Sequence, residues 1–218
     1  MIDVLFLAHN RLEFTKASFA ALRENTDWSD ARLIVYDDGS TDGTAEWLID
    51  QVPVIQTQFG SPVSIMNYYL ASGPSKLWAK VDSDTMVPPG WLNECLSVMN
   101  ASPELELLGI EAMRPLGGGL RGYNQAPFIG GIGLFRASAW KTRVFAMEPN
   151  GRFGFTAWQD MYSVCCGWID PALPVFLLDK MPTEPWASLS AEYVKRGWQR
   201  AWPKYTADQA ELWGWWRP

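Results

Sequence analysis

Asp82-Ser83-Asp84 places two carboxylates one residue apart, directly after an apolar run and shortly before Pro88-Pro89-Gly90-Trp91. In extended backbone alternate side chains share a side, so Asp82 and Asp84 can approach one divalent cation directly or through water. An ordinary acidic turn is the alternative, but a position between a buried strand and a Pro-Pro-Gly turn favours metal binding. A second acidic pair, Asp37-Asp38, opens a turn-rich segment in which Thr41 or Asp42 can cap a helix over Thr44 to Ile49. A third constellation lies near the other end. Residues 193–205, YVKRGWQRAWPKY, interleave Lys195, Arg196, Arg200 and Lys204 with Tyr193, Trp198, Trp202 and Tyr205, and contain no acid. Cations on phosphates and rings on bases would suit a strand of nucleic acid. Tryptophans also stack on sugars, Trp213, Trp215 and Trp216 could sit at a membrane interface beside a lipid-linked acceptor, and core packing accounts for any one of these rings.

These residues need elements to position them. Apolar runs at Ile2 to Ala8, Leu33 to Tyr36, Val52 to Gln58 and Leu77 to Val81 read as strands. Leu12 to Leu22 and Val63 to Ala71 carry helical spacing. Alternation of the two implies βαβ units and a mainly parallel sheet flanked by helices. Ligands gather at the carboxyl ends of such strands, in the loops after Ala8, Tyr36 and Val81. The second half is less regular. Pro115 to Gly122 holds four glycines and reads as a loop or turn. Phe128 to Phe135, FIGGIGLF, suits a strand that another backbone or a ligand approaches closely. Ala137 to Arg143 and Thr156 to Cys166 look helical. The organisation expected is one domain over 1–180, divided into halves 1–111 and 112–180, with an irregular, basic and aromatic extension over 181–218 packed on it.

A chain of 218 residues with 48% hydrophobic and 19% charged residues can bury a core and is not disordered. It has no apolar run of 18 residues, so no membrane span is expected, and the start MIDVLFLAHNR reads as a strand rather than a signal peptide. Cys95, Cys165 and Cys166 form neither a metal spacing nor an even framework, which fits a reducing cytoplasm. The net charge of −6 is divided unevenly: residues 1–111 carry 6 Lys+Arg against 16 Asp+Glu, and residues 112–218 carry 12 against 8. Such asymmetry is a reason to ask whether the two halves meet different ligands.

Three segments in fixed order, VLFLAHNR, LIVYDDGSTDGT and AKVDSDTMVPPGW, resemble the nucleotide-binding half of family-two glycosyltransferases with the GT-A fold. FIGGIGLFRASAW resembles that family's acceptor-side strand, and FTAWQDMYSVCCGW its catalytic-carboxylate helix. The resemblance covers most of residues 2–180. It implies a nucleotide-sugar donor (a UDP-sugar), a Mn²⁺ or Mg²⁺ ion, and transfer to an acceptor hydroxyl with inversion. By the same resemblance Asp84 is the more direct metal ligand, Asp82 contacts ribose or metal, and Ser83 lies in the nucleotide site. Asp38 matches the carboxylate that accepts from base or ribose, while Ala8, His9, Asn10 and Arg11 form the other wall. His9 stands where the family often has Tyr, and stacks on or hydrogen-bonds the base. Asp160, in Trp158-Gln159-Asp160, matches the general base, with Gln159 replacing the more usual Glu. Gly130 and Gly131 would let a sugar sit against backbone, or allow tight packing. Asn67, 15 residues before Asp82, matches one half of a family Arg-Asn pair, and Met66 replaces the Arg. Asp179 stands near where the family often supplies a metal-binding His; it is an oxygen ligand or a loop acid.

A positive second half on an acidic chain suggests an anionic acceptor, with Arg196, Trp198 and Arg200 on the acceptor side. Transferases that glycosylate hydroxymethylated pyrimidines in bacteriophage DNA are one precedent, which would place the protein in a host cytoplasm. A bacterial surface glycan or lipid-linked saccharide is the alternative acceptor. A non-catalytic sugar-nucleotide or nucleic-acid binding module is the alternative of another class.

Overall fold

β1 (Ile2–Ala8) is buried along its whole length, and its alternating side chains serve two cores. Val4, Phe6 and Ala8 pack with Phe19, Leu22 and Leu48, whereas Leu5 and Leu7 pack with Val63, Met66 and Leu70. Apolar side chains on both faces are what a central parallel strand requires. In this computed structural model, which describes residues 1–110, 122–126, 129, 132–140, 165–170, 172–201 and 203–206, β1 lies between β2 (Ala31–Asp37) and β4 (Leu77–Asp82), parallel to both. β3 (Val54–Gln56) extends the sheet beyond β2. The connections run through α1 (Leu12–Asn25), α2 (Thr44–Gln51) and α3 (Pro62–Ala71). The chain thus builds outward from β1 to β3, then crosses back to place β4 on the other side of β1. That reversal opens a crevice between the carboxyl ends of β1 and β4.

Beyond β4 come β5 (Thr85–Met86), α4 (Trp91–Ala101), β6 (Leu107–Gly109), β7 (Gly122–Ala126), β8 (Gly133–Arg136), β9 (Cys166–Asp170), β10 (Phe176–Leu177) and α5 (Trp186–Lys195). The large sheet has the order β3-β2-β1-β4-β8-β6-β9-β7. β8 is antiparallel to both β4 and β6, β6 is parallel to β9, and β7 is antiparallel to β9. The chain is therefore α/β, with its parallel strands concentrated where the crevice lies. Gly133 shows what the glycines near FIGGIGLF do at this one position. Its φ is +159°, and a Cβ there would lie 2.0 Å from Leu108 O on β6, so a neighbouring backbone is what approaches.

Some expected elements change type or extent. Cys166, expected at the end of a helix, begins β9, because strand partners on both sides outweigh its local helical spacing; residues 156–164 lie outside the described residues. Ala137–Trp140 form a single 3₁₀ turn, and residues 141–143 lie outside the described residues. The strand expected over Val52 to Gln58 contracts to β3, since Thr57 N donates to Asp37 O and the segment then turns toward Asp38. The stretch beyond Lys180 includes α5, which the sequence did not mark. Tyr193 on α5 meets Phe14 on α1 edge to face, with centroids 5.0 Å apart, within a cluster that includes Met86, Phe176, Leu178 and Met181. Burying such side chains stabilises the docking by about 1.5–3 kcal/mol each. β10 pairs antiparallel with β5, and Leu178 N donates to Asp84 O at 2.8 Å. The segment around Asp179 is thereby returned to the D-x-D turn.

Candidate active site

The loops after β1 and β2 are stitched together. Asp38 N donates to Ala8 O at 2.9 Å, Asn10 N to Ser40 Oγ at 2.7 Å, and Thr41 N to Asn10 Oδ1 at 2.8 Å. Asp42 serves two helices at once: Oδ2 accepts from Leu12 N at the start of α1, and Oδ1 accepts from Thr44 N and Thr44 Oγ1 at the start of α2. These bonds satisfy orphan donors of both first turns. The Asp38 carboxylate accepts three bonds, from Thr57 Oγ1 (2.9 Å), Phe59 N (2.7 Å) and Ser61 N (3.1 Å), just before Pro62 opens α3. A negative charge before a helix N-terminus is favourable. Asp38 thus anchors the segment that carries Pro62 and Ile65 into the cleft wall.

An open cleft of about 250 Å³ lies at this end of the sheet. Ala8, His9, Arg11, Asp38, Asp82, Ser83, Asp84 and Trp198 all line it, so loops from three parallel strands and the distant chain end meet there. His9 Nδ1 lies 2.8 Å from Asp38 O, and a carbonyl only accepts, so Nδ1 carries the proton. Nε2 then accepts from Asn10 Nδ2 at 3.1 Å. Both ring nitrogens are thus engaged, and His9, an exposed residue, lines the cleft. Asn10 is itself buried and stitches the loops rather than lining the cleft.

Cations from within the fold hold both D-x-D carboxylates. Lys80, on the same face of β4 as Asp82, is fully buried and donates to Asp82 Oδ1 at 2.5 Å. Arg11 donates through Nη1 to Asp84 Oδ2 at 2.8 Å and through Nη2 to Ser83 Oγ at 3.4 Å. Asn10 and Arg11 both have left-handed backbone, φ 54° and 65°, which aims Arg11 into the cleft instead of along α1. Burial opposes the Arg11 charge, but Asp84, Asp179 and Asp82 more than offset that and raise its pKa. Gln199 Oε1 also faces Arg11 Nη1 at 3.4 Å.

Asp179 is 3% exposed, and its Oδ1 has no hydrogen-bond partner among the described residues. Burial, then the charge of Asp84, push its pKa up to about 7, against the pull of Arg11, Lys180 and Lys204. Among the described residues, no three His, Cys, Asp or Glu side chains converge as a ready metal cage. The donor chemistry does fit a hard divalent ion, because Asp82, Asp84 and Asp179 offer carboxylate oxygens and one of those is a buried orphan.

Asn67, half-buried on α3, does not join the cleft lining, and Met66 is a core residue. Trp198, expected on the acceptor side, lines this cleft, with the Arg196 guanidinium 4.8 Å above its ring and Arg196 also paired with Glu192. Arg200 is exposed. Gly130, Gly131, Trp158, Gln159 and Asp160 lie outside the described residues, as do Trp202, Trp213, Trp215 and Trp216. Several other members of the 193–205 stretch have structural roles. Tyr193 is core, Tyr205 OH accepts from Leu177 N, and Lys204 Nζ donates to Asp179 O and Ser190 Oγ. Sequence reasoning missed Lys80, although a lone lysine in LWAKVD, two positions before Asp82, was a readable signal. It also missed the pairing of Arg11 with Asp84, which no spacing across 73 residues announces.

Comparison with known proteins follows the same lines. Staphylococcus aureus TarS in complex with UDP-GlcNAc superposes with a TM-score of 0.59 at 17% identity, over 79% of this chain and 57% of that one. TarS in complex with UDP gives 0.61 at 15% identity, over 90% and 71%. The Pyrobaculum calidifontis mannosyltransferase PcManGT, in complex with GDP-Man and Mn²⁺, gives 0.60 at 13%, over 77% and 56%. The chain thus spans little more than half the length of the first and third of these structures, and at such identities the likeness is one of fold, GT-A. No curated protein matches the chain. Residues 3–112, just over half of the sequence and including β1 to β4 and the D-x-D turn, match the family described as Glycosyl transferase family 2. With that match spanning the loops that build the cleft, the chain belongs to glycosyl transferase family 2.

Proposed function

We propose that the protein transfers a sugar from a nucleotide-sugar, a UDP-sugar, to an acceptor hydroxyl with inversion. The observation that carries this is the cleft at the carboxyl ends of β1, β2 and β4, where His9, Arg11, Asp38, Asp82 and Asp84 converge. The His9 ring face would stack on the base. Asp38, already fixed by three bonds, would accept from base or ribose, and Asp82, held by Lys80, from a ribose hydroxyl. Asp84, with Asp82 and Asp179, would hold Mn²⁺ or Mg²⁺. When bound, such an ion supplies charge compensation for the diphosphate. On this reading Asp160 removes the proton from the acceptor hydroxyl as its oxygen bonds to the anomeric carbon, while the bond from that carbon to the diphosphate oxygen breaks. The support for Asp160 is its sequence context. Bound UDP and UDP-GlcNAc in TarS, and GDP-Man with Mn²⁺ in PcManGT, agree with a nucleotide-sugar donor and a divalent ion.

For the acceptor we infer an anionic molecule, with a hydroxymethylated pyrimidine in DNA to be tested before a surface glycan or lipid-linked saccharide. The supports are the excess of basic residues in the second half and the exposed Lys195, Arg196 and Arg200. Among the described residues no helix is long and apolar enough to cross a membrane. Cys95, Cys165 and Cys166 are all free thiols, which suits a reducing cytoplasm. The test is a panel of UDP-sugars with Mn²⁺ against hydroxymethylated DNA and common glycans, read by acceptor mass shift. Transfer should disappear in Asp84→Ala. Transfer that persists in Asp160→Asn would remove Asp160 as the base, and DNA binding that ignores salt between about 50 and 300 mM would remove the nucleic acid.

A further inference from the structure

Arg11 is paired with the carboxylate that a divalent ion would need. Its guanidinium lies against Asp84 at 2.8 Å and Ser83 at 3.4 Å, and Asp179 and Asp82 add to the field that holds it. The pair is well shielded, with side-chain exposures of 15% for Arg11 and 11% for Asp84. Opposite charges in such surroundings bind each other strongly, and either left alone is costly. Arg11 lines the cleft, and its Nε is buried and donates to no described residue. The buried Lys80 secures Asp82. Both D-x-D carboxylates are therefore already neutralised by cations of the chain itself.

We infer that Arg11 is a resident counter-cation that keeps Asp84 closed to a divalent ion until a nucleoside diphosphate arrives. An incoming ion with Arg11 still in place would put a divalent charge beside a guanidinium, with the same carboxylate to share. A diphosphate removes that conflict. Its oxygens are bidentate acceptors for a guanidinium, so Arg11 can exchange Asp84 for phosphate and satisfy Nε at the same time. Asp84 then becomes available to the ion. The left-handed backbone at Asn10 and Arg11 is fixed by the Ser40, Thr41 and Asp42 bonds, so the exchange needs only a side-chain swing. Ion and nucleotide consequently bind with positive coupling, each strengthening the other by the same factor. This rests on the nucleotide-sugar reading above and specifies the order in which that site fills.

The experiment measures Mn²⁺ binding to the purified chain from the spin-resonance signal of free Mn²⁺, with and without saturating UDP. UDP binding is followed separately by calorimetry. In the wild-type protein UDP should tighten Mn²⁺ binding by about tenfold or more, within the usual range of coupling between sites. In Arg11→Gln, Mn²⁺ without UDP should bind about tenfold more tightly than in the wild type, and the UDP effect should shrink by the same factor. Arg11→Lys, which keeps a charge without the fork, should lie between the two. An Arg11→Gln protein that binds Mn²⁺ no better than wild type would overturn the inference. So would a wild-type protein that binds Mn²⁺ equally well with and without UDP, whatever the variants do. If UDP binds with Mn²⁺ and no coupling is found, this inference alone falls. If UDP does not bind under any condition, the nucleotide-sugar reading falls with it.

Discussion

Lys80 and Asp82 make opposite demands on the fold, and the difference in their burial predicts an asymmetry. The Lys80 side chain is 1% exposed and that of Asp82 33% exposed, with Nζ and Oδ1 2.5 Å apart. Removing the carboxylate charge in Asp82→Asn breaks the buried pair from the side of its less buried partner, a change that costs about 3–5 kcal/mol. Removing the ammonium in Lys80→Met leaves a carboxylate one-third open to water, so its cost should be roughly 1–2 kcal/mol once solvent screening is allowed for. The double variant Lys80→Met/Asp82→Asn should return to within about 1 kcal/mol of the wild type, since a buried pair replaced as a whole is often neutral. For a chain of this size about 1 kcal/mol moves Tm by roughly 2–4 °C, so Asp82→Asn should lose roughly 6–20 °C and Lys80→Met much less. Urea denaturation of the four proteins, without metal or nucleotide, gives the coupling energy directly. Equal costs for the single variants, or a double variant as unstable as their sum, would refute the coupling of Lys80 to Asp82.

Three further outcomes follow from the same geometry. Because both ring nitrogens of His9 are engaged, its contribution to the base should be stacking: His9→Ala should weaken UDP binding by about 1–3 kcal/mol, and His9→Phe should retain most of the affinity in calorimetry. Asp3 is buried beneath α3; burial alone would raise its pKa, but bonds from Arg32, Tyr69 and Ser75 hold it below the usual carboxylate value. A depressed folded pKa stabilises the protein above the unfolded value near 4, and that stabilisation is lost as pH falls through the folded value; Asp3→Asn should therefore flatten the acid limb of stability between about pH 5 and 2. Gly133→Ala should lower Tm by the equivalent of about 1–3 kcal/mol or more, because its Cβ would meet Leu108 O at 2.0 Å and force β8 away from β6.

Local pattern was enough to place the elements that lead into the cleft. The run Ile2–Ala8 is apolar at every position except Asp3, and Leu77–Asp82 ends on the carboxylate pair, so strand, turn and acid could be read in order. The fold class followed, because alternation of short strands and helices leaves few ways to bury both faces of a sheet. Beyond the D-x-D turn the same reading passed over α4 and α5 and failed at Cys166. Cys166 is a strand because β6 and β7 flank it, and α5 is held by Phe14 and Trp186 contacts made across more than 170 residues. Neither partner is visible from the local sequence.

The residue types alone determined that this chain has an acidic half and that Asp38, Asp82 and Asp84 belong to it. Only the tertiary structure decided which cations meet those acids. It placed Lys80 under Asp82, turned Arg11 onto Asp84, and brought Trp198 and Gln199 from the far end to close the same site. It also buried Tyr193 and gave Lys204 and Tyr205, which in sequence resemble a nucleic-acid surface, hydrogen bonds to Asp179 O and from Leu177 N. The reason is physical. Strand and helix preferences are set by neighbours along the chain, whereas a buried charge must find its partner wherever the topology delivers one.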